Sequence, residues 1–207
     1  GKVWGGTTED FTSFRYPISL LPRMLKMLEA NGIEKGRLGV RYLEKYTPAK
    51  ADIEIQDHLT MRDYQEEAIN FCLEHMEKGA PSTFLGIPTG MGKTLALLGF
   101  ASRLKLRTSI IASATYSEKW KEDILRNTKT PEERIFLVSG RNGIKKIFSE
   151  SERGIYNYDF TIFSIETLQR YFKEYEANPE LCAEIYGGTP VDLWEVMKCG
   201  LLGGDEM

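Results

Sequence analysis

Six consecutive residues, Thr89-Gly90-Met91-Gly92-Lys93-Thr94, combine the groups that hold a polyphosphate. Gly90 and Gly92, lacking a Cβ, can turn backbone N–H groups inward around an anion. Lys93 is suited to neutralise the β- and γ-phosphates of a nucleotide, and the Thr94 hydroxyl to ligate Mg²⁺. The expected ligands of this run by itself are therefore a nucleotide polyphosphate and Mg²⁺. The leading Gly of the general G-x-x-x-x-G-K-[ST] pattern stands one place early, at Gly86, with Ile87 in its usual position. The bland alternative is a Gly-rich turn followed by an incidental Lys-Thr.

Other polar residues stand where elements should begin or end. Gln65 offers one donor and one acceptor, the pair that matches adenine N6 and N7. Ser113 and Thr115 follow an apolar run, as do Ser164 and Thr167. Such hydroxyls suit the phosphate oxygens of a nucleic-acid backbone, and they equally suit a strand end and a helix N-cap. Asp205 and Glu206 close the sequence after Leu201-Leu202-Gly203-Gly204.

The phosphate-binding run needs a strand before it and a helix after it. An apolar segment from Thr83 to Ile87 reads as that strand, and Lys93 to about Leu104 as that helix, whose positive end would face the phosphate. Upstream, Thr60-Met61-Arg62-Asp63 reads as a capping-box variant opening a helix to about Lys78, where Gly79-Ala80-Pro81 stops it. Downstream, strands are expected over Ser109 to Ala112, Arg134 to Val138, Phe160 to Phe163 and Leu201-Leu202. Helices are expected over Ser117 to Arg126, Ile165 to Tyr175 and about Val191 to Lys198. Alternating strands and helices predict an α/β fold, a parallel sheet with helices on both faces. Residues 59–207 form this lobe.

The first 58 residues read as a separate small α/β accessory domain that grips DNA. Val3 to Gly6 and Phe14 to Pro17 look like short strands. Ile18 to Ala30 has helical periodicity and a stop at Asn31-Gly32, and 37–43 alternates as a strand. Thr47 to Asp57 has no clear period and reads as a linker.

Several of these segments resemble the motifs of superfamily-two helicases. Pro88-Thr89-Gly90-Met91-Gly92-Lys93-Thr94 is similar to their phosphate loop. Leu59 to Gln65 resembles the Leu-Arg-x-Tyr-Gln form of the Q-motif, which implies that Gln65 reads adenine. Ile110 to Thr115 with Lys119-Trp120 resembles motif Ia, and Thr161 to Leu168 the next backbone-contacting motif, which implies nucleic-acid contacts by Ser113, Thr115, Ser164 and Thr167. Leu201 to Met207 resembles motif II, cut one residue before its His. That likeness implies Asp205 on Mg²⁺ and Glu206 as general base toward water. The fold implied is a RecA-like P-loop NTPase lobe.

Within the superfamily, Trp194 to Gly200 leading into Asp205-Glu206, with Lys2 to Gly6 and Ser19 to Pro22, resembles the phage recombination helicases of the UvsW type. This implies an ATP-driven DNA helicase or translocase acting on branched or duplex DNA in recombination, replication or repair. Two alternatives stay open: a Swi/Snf-type duplex translocase, and a non-catalytic nucleotide-binding structural component. The chain begins with Gly and stops inside motif II, so a fragment is expected. Its completing arginines would lie in a second lobe, and hydrolysis by this piece alone would be slow or absent.

Composition narrows the setting. With 207 residues, 42% hydrophobic and 28% charged, the chain can bury a core and stay hydrated. The total charge of −3 hides a division: residues 93–146 hold twelve basic and five acidic side chains, and 147–207 hold four and twelve. The first segment suits sequence-independent contact with a DNA backbone, or scattered solvated charges. No apolar run approaches the ~18 residues of a membrane span, and no secretion signal leads the chain. Three cysteines without paired spacing suggest a reducing compartment and argue against a Zn site with His75. The expected location is the cytoplasm, that of a bacterial host if the gene is a phage's.

Overall fold

The computed structural model describes residues 6–7, 14–15, 26–27, 29–32, 47–78, 82–88 and 90–204. The expectations for 3–5, 16–25, 37–43, Thr89, Asp205 and Glu206 fall outside the described residues. The chain divides into two units, Gly1–Lys45 with Asn70–Gly86, and Tyr46–Ile69 with Ile87–Met207.

In the first unit, β1 (Gly6–Thr7) pairs antiparallel with β2 (Phe14–Arg15), Gly6 opposite Arg15. Lys26, Met27, Glu29 and Ala30 are helical. The helix ends as expected: Gly32 takes φ +78° and its N–H donates to the Glu29 carbonyl at 3.1 Å. The apolar segment before the phosphate loop departs from expectation. Residues 82–88 carry no regular secondary structure, and Phe84 is 91% exposed. An apolar run becomes a strand only where a neighbour takes up its N–H and C=O groups.

The second unit is built on four parallel strands, β3 (Thr108–Ala112), β4 (Ile135–Val138), β5 (Phe160–Ser164) and β6 (Leu201–Gly204), in the order β4-β5-β3-β6. β6 is an edge strand among the described residues. Because side chains alternate across a strand, each strand feeds two cores. Ile110, Phe160 and Ile162 pack with Leu98, Ala101, Trp120 and Ile124 from the Lys93–Leu104 and Ala114–Asn127 helices. On the other face, Phe163 packs with Ile144, Ile147, Leu168, Tyr171, Cys182 and Leu193. These come from the Gly140–Glu152, Ile165–Ala177, Pro179–Tyr186 and Pro190–Met197 helices. Each fully buried side chain of this size contributes about 1.5–3 kcal/mol. This is the RecA-like α/β lobe that the sequence predicts.

Three local expectations are corrected. First, the stretch read as a linker is a strap on the core. Ala51 and Ile53 are buried while Asp52 and Glu54 are exposed, an alternation that is visible in the sequence. Its backbone bonds to Lys105, Arg107, Asn127 and Lys129 at 2.8–3.0 Å. Second, a helix fills 140–152, where none was expected. Gly140 and Gly143 lower its apparent propensity, yet a Cβ at Gly143 would stand 2.9 Å from Val138 Cγ1 and 3.2 Å from its Cα. The glycine lets the helix lie against the end of β4. Third, the Pro179–Tyr186 helix was also unforeseen; its start is capped by Asn178, which accepts the Leu181 N–H at 3.0 Å.

At the opposite end of the strands, Arg134 forks onto Asp159 through Nε at 3.1 Å and Nη2 at 2.7 Å. Asp159 is buried, and its carbonyl takes the Thr108 N–H, so one ion pair ties the starts of β3, β4 and β5. The hydrogen bond from Arg134 to Asp159 also raises the guanidinium's affinity for its proton.

Candidate nucleotide and nucleic-acid site

The loop before the Lys93–Leu104 helix turns on itself: the Met91 N–H donates to the Pro88 carbonyl at 3.2 Å. Gly90 takes φ +80° and Gly92 φ +74°, conformations that cost a residue with a Cβ about 1–2 kcal/mol. Gly92 is the N-cap, and its carbonyl accepts the Ala96 N–H at 3.1 Å. The first amides of a helix have no carbonyl one turn back, and those of Thr94 and Leu95 stand at this helix start, the arrangement that suits an anion. Lys93 and Thr94 are half-buried at this helix start.

The Q-motif segment closes on this loop. The Asp63–Glu77 helix starts later than expected, and its cap is not Thr60. Gln65 Oε1 accepts the Arg62 N–H at 3.0 Å, and Gln65 Nε2 donates to the carbonyls of Gly92 at 3.2 Å and Met91 at 3.4 Å. Tyr64 adds its hydroxyl to the Met91 carbonyl at 2.9 Å. Gln65 is 3% exposed, and a Cβ on Gly92 would meet its Nε2 at 2.5 Å. Arg62, Tyr64, Gln65, Gly90, Met91, Gly92 and Leu95 line a cavity of about 260 Å³ with Thr60. Arg62 and Tyr64, quoted in the motif but given no role from sequence, are thus part of its wall. Their signal was the adjacency to Gln65.

The second group lies at the carboxyl ends of the strands, where ligands bind in open α/β sheets. The register sets Ala112 beside Ser164 and Val138 beside Phe163, so Ser113, Ser139 and Ser164 leave the sheet along one edge. Ser164 caps its own helix, accepting the Thr167 N–H at 3.1 Å and donating to Thr167 Oγ1 at 2.8 Å. Thr167 Oγ1 also accepts the Gly140 N–H at 3.2 Å. Ser113 is half-buried and makes no cap bond; Thr115 is exposed in the first helical turn. Trp120 of the same motif is a core residue.

β6 runs to Gly204, the residue before Asp205. A Cβ at Gly203 would stand 2.7 Å from Leu97 Cδ2, so the helix that opens with Lys93 lies directly on this strand. Charge in this lobe is mostly paired. Arg103 with Glu66, Lys121 with Glu132, Lys129 with Asp57, Arg141 with Glu174 and Lys146 with Glu150 all lie within 4.0 Å. At least eight of the twelve basic residues of 93–146 are thus ion-paired, Lys105, Arg126 and Arg134 among them.

Residues 58–182, more than half of the chain, match the type III restriction enzyme res subunit family. The chain belongs to that family. The res-subunit family is a helicase-like group of superfamily-two ATPases, which bears out the superfamily expected from the phosphate loop and its neighbours. Its domains generally use ATP with Mg²⁺ and bind nucleic acid. The match spans the Q-motif, the phosphate loop and both hydroxyl-bearing motifs, and it ends before β6. Comparison with curated proteins gives no match. Among the described residues, no helix is long and apolar enough to cross a membrane.

Proposed function

We propose that this res-family lobe is the ATP-binding part of a DNA helicase or translocase of the UvsW-like kind, acting on branched or duplex DNA in recombination, replication or repair. The observation that supports the reading best is the closure of Tyr64 and Gln65 on the Met91 and Gly92 carbonyls. It leaves the amide side of a glycine loop and the start of a helix for phosphate, with a cavity beside them for the base. In this reading Thr89, Gly90, Met91, Gly92, Lys93 and Thr94 cradle the polyphosphate. Gln65 addresses adenine through the amide that otherwise holds the loop. Thr94 and Asp205 would hold Mg²⁺, which neutralises phosphate charge when bound. Glu206 would take the proton of the attacking water.

Ser113, Thr115, Ser164 and Thr167 would contact the DNA backbone along the strand ends. A small accessory domain in the residues ahead of the strap would add grip on duplex DNA, and the setting would be cytoplasmic.

The test is calorimetric titration of wild type and Lys93→Ala with Mg·ATP, paired with DNA binding to forked and plain duplex at fixed salt. Wild type should bind nucleotide, and Lys93→Ala should bind at least about tenfold more weakly without a lower melting temperature. Forked DNA should bind more tightly than plain duplex. Equal nucleotide binding by both proteins would overturn the site, and equal binding to both DNAs would overturn the branched-substrate reading.

A further inference from the structure

Glu166 stands in the first turn of the Ile165–Ala177 helix, but its carboxylate serves a different helix. Its Oε2 accepts the Ala114 N–H at 3.0 Å, from a residue 52 positions away. The Ala114–Asn127 helix has no acidic residue in its own first turn, and Ser113, a residue type that ordinarily caps the helix it precedes, makes no cap bond. The parallel register that sets Ala112 beside Ser164 makes this reach possible. Around the ends of β3, β4 and β5, over residues 113–116, 139–141 and 164–167, Glu166 is the one acidic residue.

A carboxylate in a first turn is ordinary for its own helix, whose dipole it complements, but its reach to the neighbouring helix has two further consequences. Glu166 and Ala114 are both exposed, and a bond between exposed groups adds little stability. A negative charge on a row of hydroxyls and helix-start amides also repels the polyanion those groups would hold. A carboxylate and a phosphate diester present the same chemistry to an N–H, a negatively charged oxygen acceptor.

We propose that Glu166 is an internal stand-in for a nucleic-acid phosphate, occupying the Ala114 N–H until DNA displaces it. The inference rests on the reading of this edge as the DNA-contacting face. Glu166 then sets the affinity of the edge: the bound strand must exchange a carboxylate for a phosphate and carry the repulsion of the displaced charge. Empty of DNA, the Glu166 carboxylate links the starts of the Ala114–Asn127 and Ile165–Ala177 helices. With DNA, the Ala114 N–H is released to a phosphate.

The experiment measures fluorescence anisotropy of a labelled 20-nucleotide DNA, single-stranded and as duplex, with the 207-residue chain and its Glu166→Gln, Glu166→Ala, Thr115→Ala and Thr167→Ala variants. Melting temperatures are recorded for each. Gln keeps an oxygen that can accept the Ala114 N–H and removes only the charge. Glu166→Gln should bind about three- to tenfold more tightly at ~50 mM salt, with a smaller gain at ~200 mM. Glu166→Ala should also bind more tightly, while melting at or below the wild-type temperature. Thr115→Ala should bind more weakly. If Thr115→Ala weakens binding but Glu166→Gln binds no more tightly than wild type, Glu166 is a brace and the proposal is wrong. If neither Thr115→Ala nor Thr167→Ala changes binding, the edge is not the DNA face, and the reading beneath the proposal fails with it.

Discussion

Gln65 Nε2 lies 3.2 Å from the Gly92 carbonyl while Gln65 Oε1 takes the Arg62 N–H at 3.0 Å. One buried amide thus starts a helix and holds the phosphate loop from behind. The contact is close enough that Gly92 has two reasons to be glycine: its φ of +74°, and the 2.5 Å approach of Gln65 Nε2 to any Cβ.

Replacing Gly92 by Ala should therefore weaken Mg·ATP binding by about five- to thirtyfold through the backbone term alone. Adding Gln65→Ala removes the collision, so the double variant should regain part of any melting temperature lost in Gly92→Ala, while Mg·ATP binding stays weak because the strain remains and the adenine contact is gone. Calorimetry on the two variants distinguishes these contributions. Wild-type affinity in Gly92→Ala would mean that this loop does not hold the nucleotide.

Ile53 is wholly buried against Leu98 and Ile110 although it belongs to a stretch without secondary structure. Ile53→Ala should cost about 2–5 kcal/mol in urea unfolding. Its exposed neighbour provides the control: Asp52→Ala, which loses a 3.8 Å surface contact with Lys105 and a weaker attraction to Arg134, should stay within about 0.5 kcal/mol. Equal and small effects would mean the strap is a tether with no part in the core.

DNA binding should be governed by salt and indifferent to sequence, since backbone amides and hydroxyls supply the proposed contacts. With three to five phosphates neutralised, log affinity against log salt on duplex should slope about −3 to −4.5. Much of the basic charge in this lobe is already ion-paired, which favours the shallow end. A flat response, or strong preference between two sequences at equal salt, would contradict the expectation.

Alkaline pH should unfold the lobe by a defined route. Burial raises the phenols of Tyr156 and Tyr171 above their ordinary 10.0, and the thiols of Cys72, Cys182 and Cys199 above 9.0. As pH rises through 9.0 and 10.0, the unfolded chain releases these protons first and then binds fewer than the folded chain. Stability accordingly falls with pH in that window and is intact below it. Urea midpoints at pH 8, 9.5 and 11 should decline in order, and tyrosinate absorbance should rise in step with unfolding. A midpoint that holds steady to pH 11 would show these groups to be solvated.

Much of the site was legible because its chemistry is local. A Gly-x-Gly-Lys-Thr run opening a helix, and hydroxyls directly after β-branched apolar runs, are set by neighbours in sequence. So were the Lys93–Leu104 helix and strands β3, β4 and β5, whose apolar periods are strong. Tertiary structure decided what depends on distant partners. Thr83 to Ile87 has a strand's composition, but a strand is a set of hydrogen bonds to another segment, and composition does not supply the partner. Gly143 weakens its helix in isolation and is needed there because Val138 packs within 3 Å of where its Cβ would stand. Gln65 faces the loop carbonyls, and Glu166 reaches Ala114 only because parallel pairing sets β3 beside β5. The sequence by itself determined which groups this protein can offer to a phosphate. Folding decided which of them are already engaged with one another, because hydrogen-bond partners 26 to 52 residues apart are chosen by packing and register.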